Sequence, residues 1–434
     1  MSARRPLRVG MVHLSDPRID SRIQRLAGAL AARGDEVDLV CLGAPSAVRV
    51  GAGTIRAHPV GTEKPAGGPG AYVRGYLRFL AAAGRRLTRL DLDRRFDVVE
   101  IHNMPDVLTA AALGPRLRGT PVILDVHDTF PELFATLYGR APGDPLVRLV
   151  RAQERVGAAL ADHVIVVTGE ARERLASRGV GVGRCTVVMN APDGAVLGPA
   201  RPARRLPAAG PMRLLYLGGL APRFGVETLI RAFGRLRTTA PRVHARICGP
   251  GADRDRLARL AAEVAPDRIE IPAAPVPFAA VPAELAAADV GVVPTLHDAF
   301  TELLLPVKLL EYVHAGLPVV SSRLPAIGHY FTGAELRTFA PGDPAALAAA
   351  VEAACADPDG THRRAQAAGA RLADLGWERE RARYLALVDR LAGRAPDGEA
   401  GADGATGADG AGAEAAGRAA AARGRPSPAA ALVR

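Results

Sequence analysis

The sequence predicts an α/β protein: two doubly wound domains facing a cleft, followed by a disordered C-terminal tail. Short, nearly all-apolar runs alternate with helical patterns, as the strands of a parallel sheet covered on both faces require. The alternation stops near residue 190 and restarts after residue 210. Between the two series lies "APDGAVLGPARPARRLPAAGP" (191–211), rich in Pro, Gly and Ala, which reads as a linker. At 434 residues the chain is also too long for one ordinary core.

The elements follow in order. "LRVGMVHL" (7–14) reads as a buried strand, "SRIQRLAGALAARG" (21–34) as an amphipathic helix ended by Gly34, and "EVDLVCL" (36–42) as the next strand. "FDVVEIH" (96–102), "PVILDVH" (121–127) and "HVIVVT" (163–168) complete the first series. The second opens with "PMRLLYLGGL" (211–220), a strand running into a Gly-rich turn, then a helix at 226–236 and a strand at 243–249. "DRIEIP" (267–272), "DVGVVP" (289–294) and "LPVVSS" (317–322) follow. The expected units are 1–195, 210–376 and an amphipathic helix at 377–393. A low-complexity tail over 394–434 cannot bury enough apolar surface to offset its ordering entropy. In such folds ligands sit outside the carboxyl ends of the strands, so the interdomain cleft is the natural site.

Composition narrows the partners. The net charge of +11 favours anionic ones: phosphate-bearing ligands, acidic lipid head groups or nucleic acid. Nucleic acid is disfavoured, because no aromatic and basic interleaving and no known module is present. The four cysteines, Cys41, Cys185, Cys248 and Cys355, lie far apart with no CxxC pair, so reduced buried thiols are expected rather than a zinc or disulfide framework. No export signal and no membrane-spanning run is visible, and a cytoplasmic protein is expected. The segment "YVRGYLRFLAAAGRRLTRL" (72–90) carries Val73, Tyr76, Leu77 and Leu80 on one stripe with arginines dispersed around it. It reads as a core-packing helix with a solvated arginine face, or as a basic amphipathic helix at the inner face of a membrane.

Five stretches carry chemistry. In "FTELLLPVKLLEYVHAGLPVVSS" (300–322), Pro306 suits a first helical turn, and Lys308 and Glu311 then share one face at the helix start. Lysine occurs elsewhere only at Lys64. Backbone N–H groups plus an ammonium make an anion site, and the carboxylate one turn on can accept two ribose hydroxyls. The competing reading is an ordinary ion pair on a solvated face. In "YLGGLAPRFGVETLIRAF" (216–233), Gly218 and Gly219 allow close backbone approach at a strand end, with Arg223 in the turn. His102 and Asn103, then His127 and Asp128, follow apolar strands and face the crevice, either as functional groups or as turn and cap residues. Asp16, Arg18 and Arg22 lie in or just beyond the first βα loop, and Asp20 reads as a helix cap.

Taken together, these residues resemble a family 4 glycosyltransferase of the GT-B fold, with two Rossmann-like domains. The resemblance spans residues 7 to about 390 and is carried by "GGLAPRFGVETLIRAF", "DVGVVPT", "LPVKLLEYVHAGLPVVSS", "DPRI…LAGALAARGDEV" and "ILDVHDTFPEL". It implies retaining transfer of a sugar from a nucleotide diphosphate sugar to a hydroxyl acceptor: a glycan, a lipid-linked sugar or a small metabolite. It implies that Arg223 and Lys308 neutralise the leaving diphosphate and that Glu311 holds the ribose. Gly218 and Gly219 would lie beneath the phosphates, and His127 beside the reacting sugar. Asp16, Arg18, His102, Asn103 and Asp128 are then acceptor-side candidates. No cofactor beyond the donor is implied, and with no DxD-like acidic pair in the donor half, no metal is expected. The family often has a second glutamate eight residues before the ribose one. Here that position is Leu303, with Glu302 one residue off, which leaves the donor-sugar contact open. The alternatives are a nucleotide-sugar epimerase of the same fold and a catalytically degenerate nucleotide-sugar-binding scaffold.

Overall fold

The computed structural model describes residues 5–61 and 69–394. The expected tail, apart from Arg394, lies outside the described residues, as does Lys64.

Two sheets organise the chain. The first contains β1 (Arg8–Val12), β2 (Glu36–Cys41), β3 (Ser46–Val50), β4 (Gly53–Pro59), β5 (Val98–His102), β6 (Val122–Val126), β7 (His163–Val166) and β8 (Cys185–Val187). Their order is β3-β4-β2-β1-β5-β6-β7-β8, parallel throughout except for the antiparallel β3–β4 pair. The second contains β9 (Met212–Leu217), β10 (Val243–Cys248), β11 (Ile269–Glu270), β12 (Val290–Val293), β13 (Val319–Ser322) and β14 (Arg337–Phe339). Its order is β11-β10-β9-β12-β13-β14, all parallel. In each sheet the chain starts near the middle and winds outward both ways, which places a topological switch beside β1 and beside β9.

The strands are apolar throughout because both faces are covered. Along β9, Met212, Leu214 and Tyr216 enter one core, and Leu215 and Leu217 enter the other. Along β1, Val9 and Met11 face one layer and Val12 the opposite one. Burial of each such side chain stabilises by roughly 1.5–3 kcal/mol, so the sheet centres are the stable part of each half.

The helices that matter for the site begin where sequence chemistry says they should. Asp20 caps Ser21–Arg33 by accepting from the N–H groups of Arg22 (3.0 Å) and Ile23 (3.2 Å), and Gly34 ends it with φ 106°. Pro306 stands at the N-cap of Val307–His314, so its missing N–H costs nothing there. The helix Trp377–Leu391 lies against the first half: Trp377, Tyr384 and Leu387 enter the same core as Val9 and Met11, and Arg33 bridges Asp389 at 2.9 Å.

Three details differ from the sequence reading. The β3–β4 hairpin, β8 and β14 were not anticipated, and β8 and β14 have only three residues each, too few to show a period. Thr129 caps Phe130–Tyr138 by position but makes no side-chain cap bond, and Asp128 makes none either. Cys355 is half-buried, whereas Cys41, Cys185 and Cys248 are buried and all four are free. No helix of the described residues is long and apolar enough to cross a membrane.

Candidate active site

The carboxyl ends of β9 and β10 and the start of Val307–His314 enclose a cavity of about 450 Å³. Gly218, Gly219, Arg223, Lys308 and Glu311 all line it, and Asp128 reaches it from the first half. Five donor-side candidates, separated by up to 93 positions in sequence, therefore share one space.

The floor of the cavity explains its glycines. Gly218 has φ 139°, a conformation that side chains disfavour, and an added Cβ would stand 2.7 Å from the Lys308 Nζ. Gly249 opposite has φ 159°, and its Cβ would strike the Gly218 carbonyl oxygen.

Lys308 is not in an ion pair with Glu311 among the described residues. Its ammonium instead donates to the Tyr216 hydroxyl at 2.8 Å, and that hydroxyl donates to the Gly219 carbonyl at 2.6 Å. The ammonium also lies 4.0 Å from the Tyr216 ring centre and 4.9 Å from that of Phe224. Burial pushes the Lys308 pKa down to about 7, and Glu311 opposes that only in part. Arg223 packs on the same Phe224 ring, its guanidinium carbon 4.7 Å from the ring centre. Its Nε is buried without a hydrogen-bond partner among the described residues. Two cations thus converge on one cavity without an ion-pair partner among the described residues, in reach of the N-terminus of Val307–His314. An anion there recovers the energy that their burial costs. Burial raises the Glu311 pKa, and Arg25 and Lys308 hold it down. Arg25 comes from the helix Ser21–Arg33, so the Glu311 carboxylate is influenced by both halves.

The first half contributes a buried polar cluster behind Asp128. Arg22 grips Asp125 with two bonds, Nε to Oδ2 at 2.8 Å and Nη2 to Oδ1 at 2.6 Å. His102 Nδ1 lies 3.0 Å and His127 Nε2 3.1 Å from Asp125 Oδ2, and the two ring nitrogens are 3.1 Å apart. Burial alone would raise the Asp125 carboxyl, but Arg22 and the histidines outweigh it and hold it well below the usual range. Burial pushes His102 down to about 4, against the pull of Asp125. His13 stands 3.1 Å from Asp20 and within 6 Å, centre to centre, of both other imidazoles. The spacing of His102, Asp125 and His127 would suit a metal ion. However, Arg22 already meets both Asp125 oxygens, so charge favours a hydrogen-bonded cluster that fixes the His127 ring.

The remaining candidates divide by position. Asp128 lines the cavity, and burial raises its pKa despite His127 and Arg223. His127 sits just behind it, 15% exposed. Asn103 braces the turn between them: its Oδ1 accepts from the His127 N–H at 2.8 Å and its Nδ2 donates to the Asp128 carbonyl at 2.8 Å. His102 is fully buried, so any part it plays runs through His127. Asp16 and Arg18 pair with each other at 2.6 Å and do not line this cavity.

The loop before Pro306 accounts for the missing glutamate. Leu303 is buried, and Glu302 turns to Arg174 of the first half at 2.7 Å. Neither lines the cavity; Phe300 and Leu304 do. Thr136 and Thr168 also bond this loop, to Asp298 Oδ1 and the Leu303 carbonyl, each at 3.0 Å. The sequence reading missed Tyr216, Phe224 and Asp125. Tyr216 and Asp125 sit within apolar strands, and only the oddity of a polar group inside a buried run could have marked them.

Comparisons with known proteins bear on the family and the fold. A glycosyl transferase 4-like domain matches residues 19–191, and a glycosyl transferases group 1 domain matches residues 211–357. The chain is 33% identical over 304 residues to a glycogen synthase of Mycobacterium tuberculosis, covering 68% of this chain and 70% of that one. Among solved structures, sucrose-phosphate synthase from Thermosynechococcus elongatus superposes with a TM-score of 0.68 at 19% identity, over 89% of this chain and 99% of that one. Anabaena HepE, solved in complex with UDP-glucose, gives a TM-score of 0.64 at 14% identity, over 88% and 100%. The order of the two matched domains, the identity to a synthase and the shared two-sheet architecture lead to one conclusion: the chain belongs to the GT-B glycosyltransferases.

Proposed function

We propose that the protein moves a sugar from a nucleoside diphosphate sugar to a hydroxyl acceptor with retention at the anomeric carbon. The observation that carries this is the convergence of Arg223, Lys308 and a helix N-terminus on one cavity, where neither cation has an ion-pair partner among the described residues. The diphosphate fits there, and Glu311 receives the ribose hydroxyls. A uridine nucleotide is the first donor to try, because HepE was solved with UDP-glucose.

Breaking the bond between the anomeric carbon and the phosphate oxygen leaves negative charge on the diphosphate. The two cations meet that charge more strongly in the transition state than before it, which is what lowers a barrier. The acceptor oxygen forms its bond on the same face, and its proton passes to the departing phosphate oxygen. Charge compensation is then complete without a divalent ion, so the reaction is metal-independent. His127, held by Asp125, and Asp128 face the sugar and acceptor from the first half.

The test is a panel of nucleoside diphosphate sugars incubated with the protein and candidate acceptors, with and without EDTA. Retention predicts a product anomer equal to that of the donor by NMR. An inverted product would remove the retaining mechanism, and an epimerised donor without transfer would favour the isomerase.

A further inference from the structure

Among the described residues, every exposed large apolar side chain falls in the first half, none beyond Val182. Several gather on one face. The helix Pro69–Asp93 presents Tyr72, Val73 and Leu77 to solvent at 42%, 57% and 58% exposure. Tyr72 stacks on Tyr76 at 6.1 Å, and the Tyr76 phenol is raised by burial and by its neighbours Tyr72 and Tyr138. Tyr138, 62% exposed, lies within electrostatic reach of Tyr76, and Phe134 packs on it at 4.7 Å. The other described tyrosines, Tyr216, Tyr312, Tyr330 and Tyr384, are buried.

The charges on this face are basic. In the second half some exposed arginines pair with carboxylates, Arg231 and Arg256 with Glu227 and Arg235 with Glu352, while Arg259 and Arg363 have no such partner among the described residues. Arg74, Arg78 and Arg85 are exposed and, among the described residues, have no carboxylate partner. Between their helix and the carboxyl ends of β1, β2 and β4 lies a hollow of about 680 Å³. Leu14, Leu42, Val60 and Phe79 line it, with Arg78 and Arg85 beside them.

We propose that this face docks the protein on an anionic lipid bilayer. Tyrosines and aliphatic side chains on a helix flanked by unpaired arginines match a surface that is apolar below and phosphate-rich above. The position also suits the site. The helix Phe130–Tyr138 ends within electrostatic reach of Tyr76 and begins two residues after Asp128, which lines the cavity, and its length is only about 13 Å. An acceptor held in the bilayer would meet the cavity there. Docking does not depend on the identity of the donor.

The experiment is flotation of the full chain with phosphatidylcholine vesicles containing or lacking phosphatidylglycerol, at low and high salt. The expected result is binding only with phosphatidylglycerol, weakened by salt. Tyr72→Ser/Leu77→Ser and Arg74→Glu/Arg78→Glu should each lower partitioning by about tenfold or more. The control Arg259→Glu/Arg363→Glu makes the same change in net charge on exposed sites of the second half and should partition as the unaltered protein does. Thermal unfolding of each variant establishes that it is folded. No binding to phosphatidylglycerol vesicles, equal binding by the first two variants, or an equal loss in the control would each overturn the proposal.

Discussion

Replacing Lys308 by methionine separates a lysine kept for a ligand from one kept for the fold. Methionine retains the apolar stem and removes the ammonium. The ammonium is held at a pKa of about 7 against an ordinary 10.5, because burial disfavours its charge. That difference of about 3.5, at ~1.4 kcal/mol for each pH unit, is a folding cost of about 5 kcal/mol below pH 7. The side chain is half-buried rather than sealed, so about 2 kcal/mol is a fair figure after solvent screening. The bond to the Tyr216 hydroxyl returns about 1 kcal/mol. The variant should then be more stable than the parent at pH 6 by about 1 kcal/mol, or ~2–4 °C in melting temperature. The sign follows from proton counting. Between pH 7 and 10.5 the unfolded chain binds more protons at this residue than the folded one, so the parent gains stability as pH rises and the variant does not. The advantage should shrink by about 1 kcal/mol between pH 6 and pH 9. Thermal unfolding at both pH values, with and without UDP, is the assay. The parent should be stabilised by UDP, and the variant should lose most of that shift. A variant less stable than the parent at pH 6, with a deficit that does not change with pH, would refute this reasoning.

Other outcomes follow from the same geometry. UDP affinity of the parent should fall above pH 7, by up to about tenfold per unit, as Lys308 loses its proton; calorimetry in two buffers of different ionisation enthalpy would show proton uptake on binding. Gly218→Ala should weaken UDP binding by about tenfold or more, since its Cβ would displace the Lys308 ammonium and its backbone conformation would be strained by about 1–2 kcal/mol. Arg22→Met should destabilise the first half by about 3–5 kcal/mol in urea unfolding, because Asp125 would remain buried without its counter-charge, and adding Asp125→Asn should recover part of the loss. Arg174→Ala should cost no more than about 1 kcal/mol, as its bridge to Glu302 is partly exposed and buried Glu132, its other partner, keeps Arg178.

Periodicity and punctuation made the central strands and the long helices legible. The runs at 7–14 and 211–220 are apolar for the reason the structure gives, two covered faces, and Asp20, Gly34 and Pro306 mark helix ends by local chemistry alone. The edges were less legible. β8 and β14 are set by pairing with a neighbour rather than by their own pattern. In the site, the glycines, Arg223, Lys308 and Glu311 were visible because strand-end glycines and a cation at a helix start carry a physical meaning. The partners that tune them were not. Tyr216 meets Lys308 across 92 positions, Arg25 reaches toward Glu311 from the other half, and Arg22 meets Asp125 across 103 positions. Those contacts depend on how strands are ordered in the sheets, which no local pattern records.

The central claim is that two cations converging on one cavity drive the departure of a diphosphate. Its most direct test is nucleotide release from UDP-sugar donors, with water as the acceptor, by the parent, Arg223→Ala and Lys308→Ala. Each substitution should lower kcat by about a hundredfold or more while leaving the protein folded. Folded variants that release UDP at rates within threefold of the parent would contradict it.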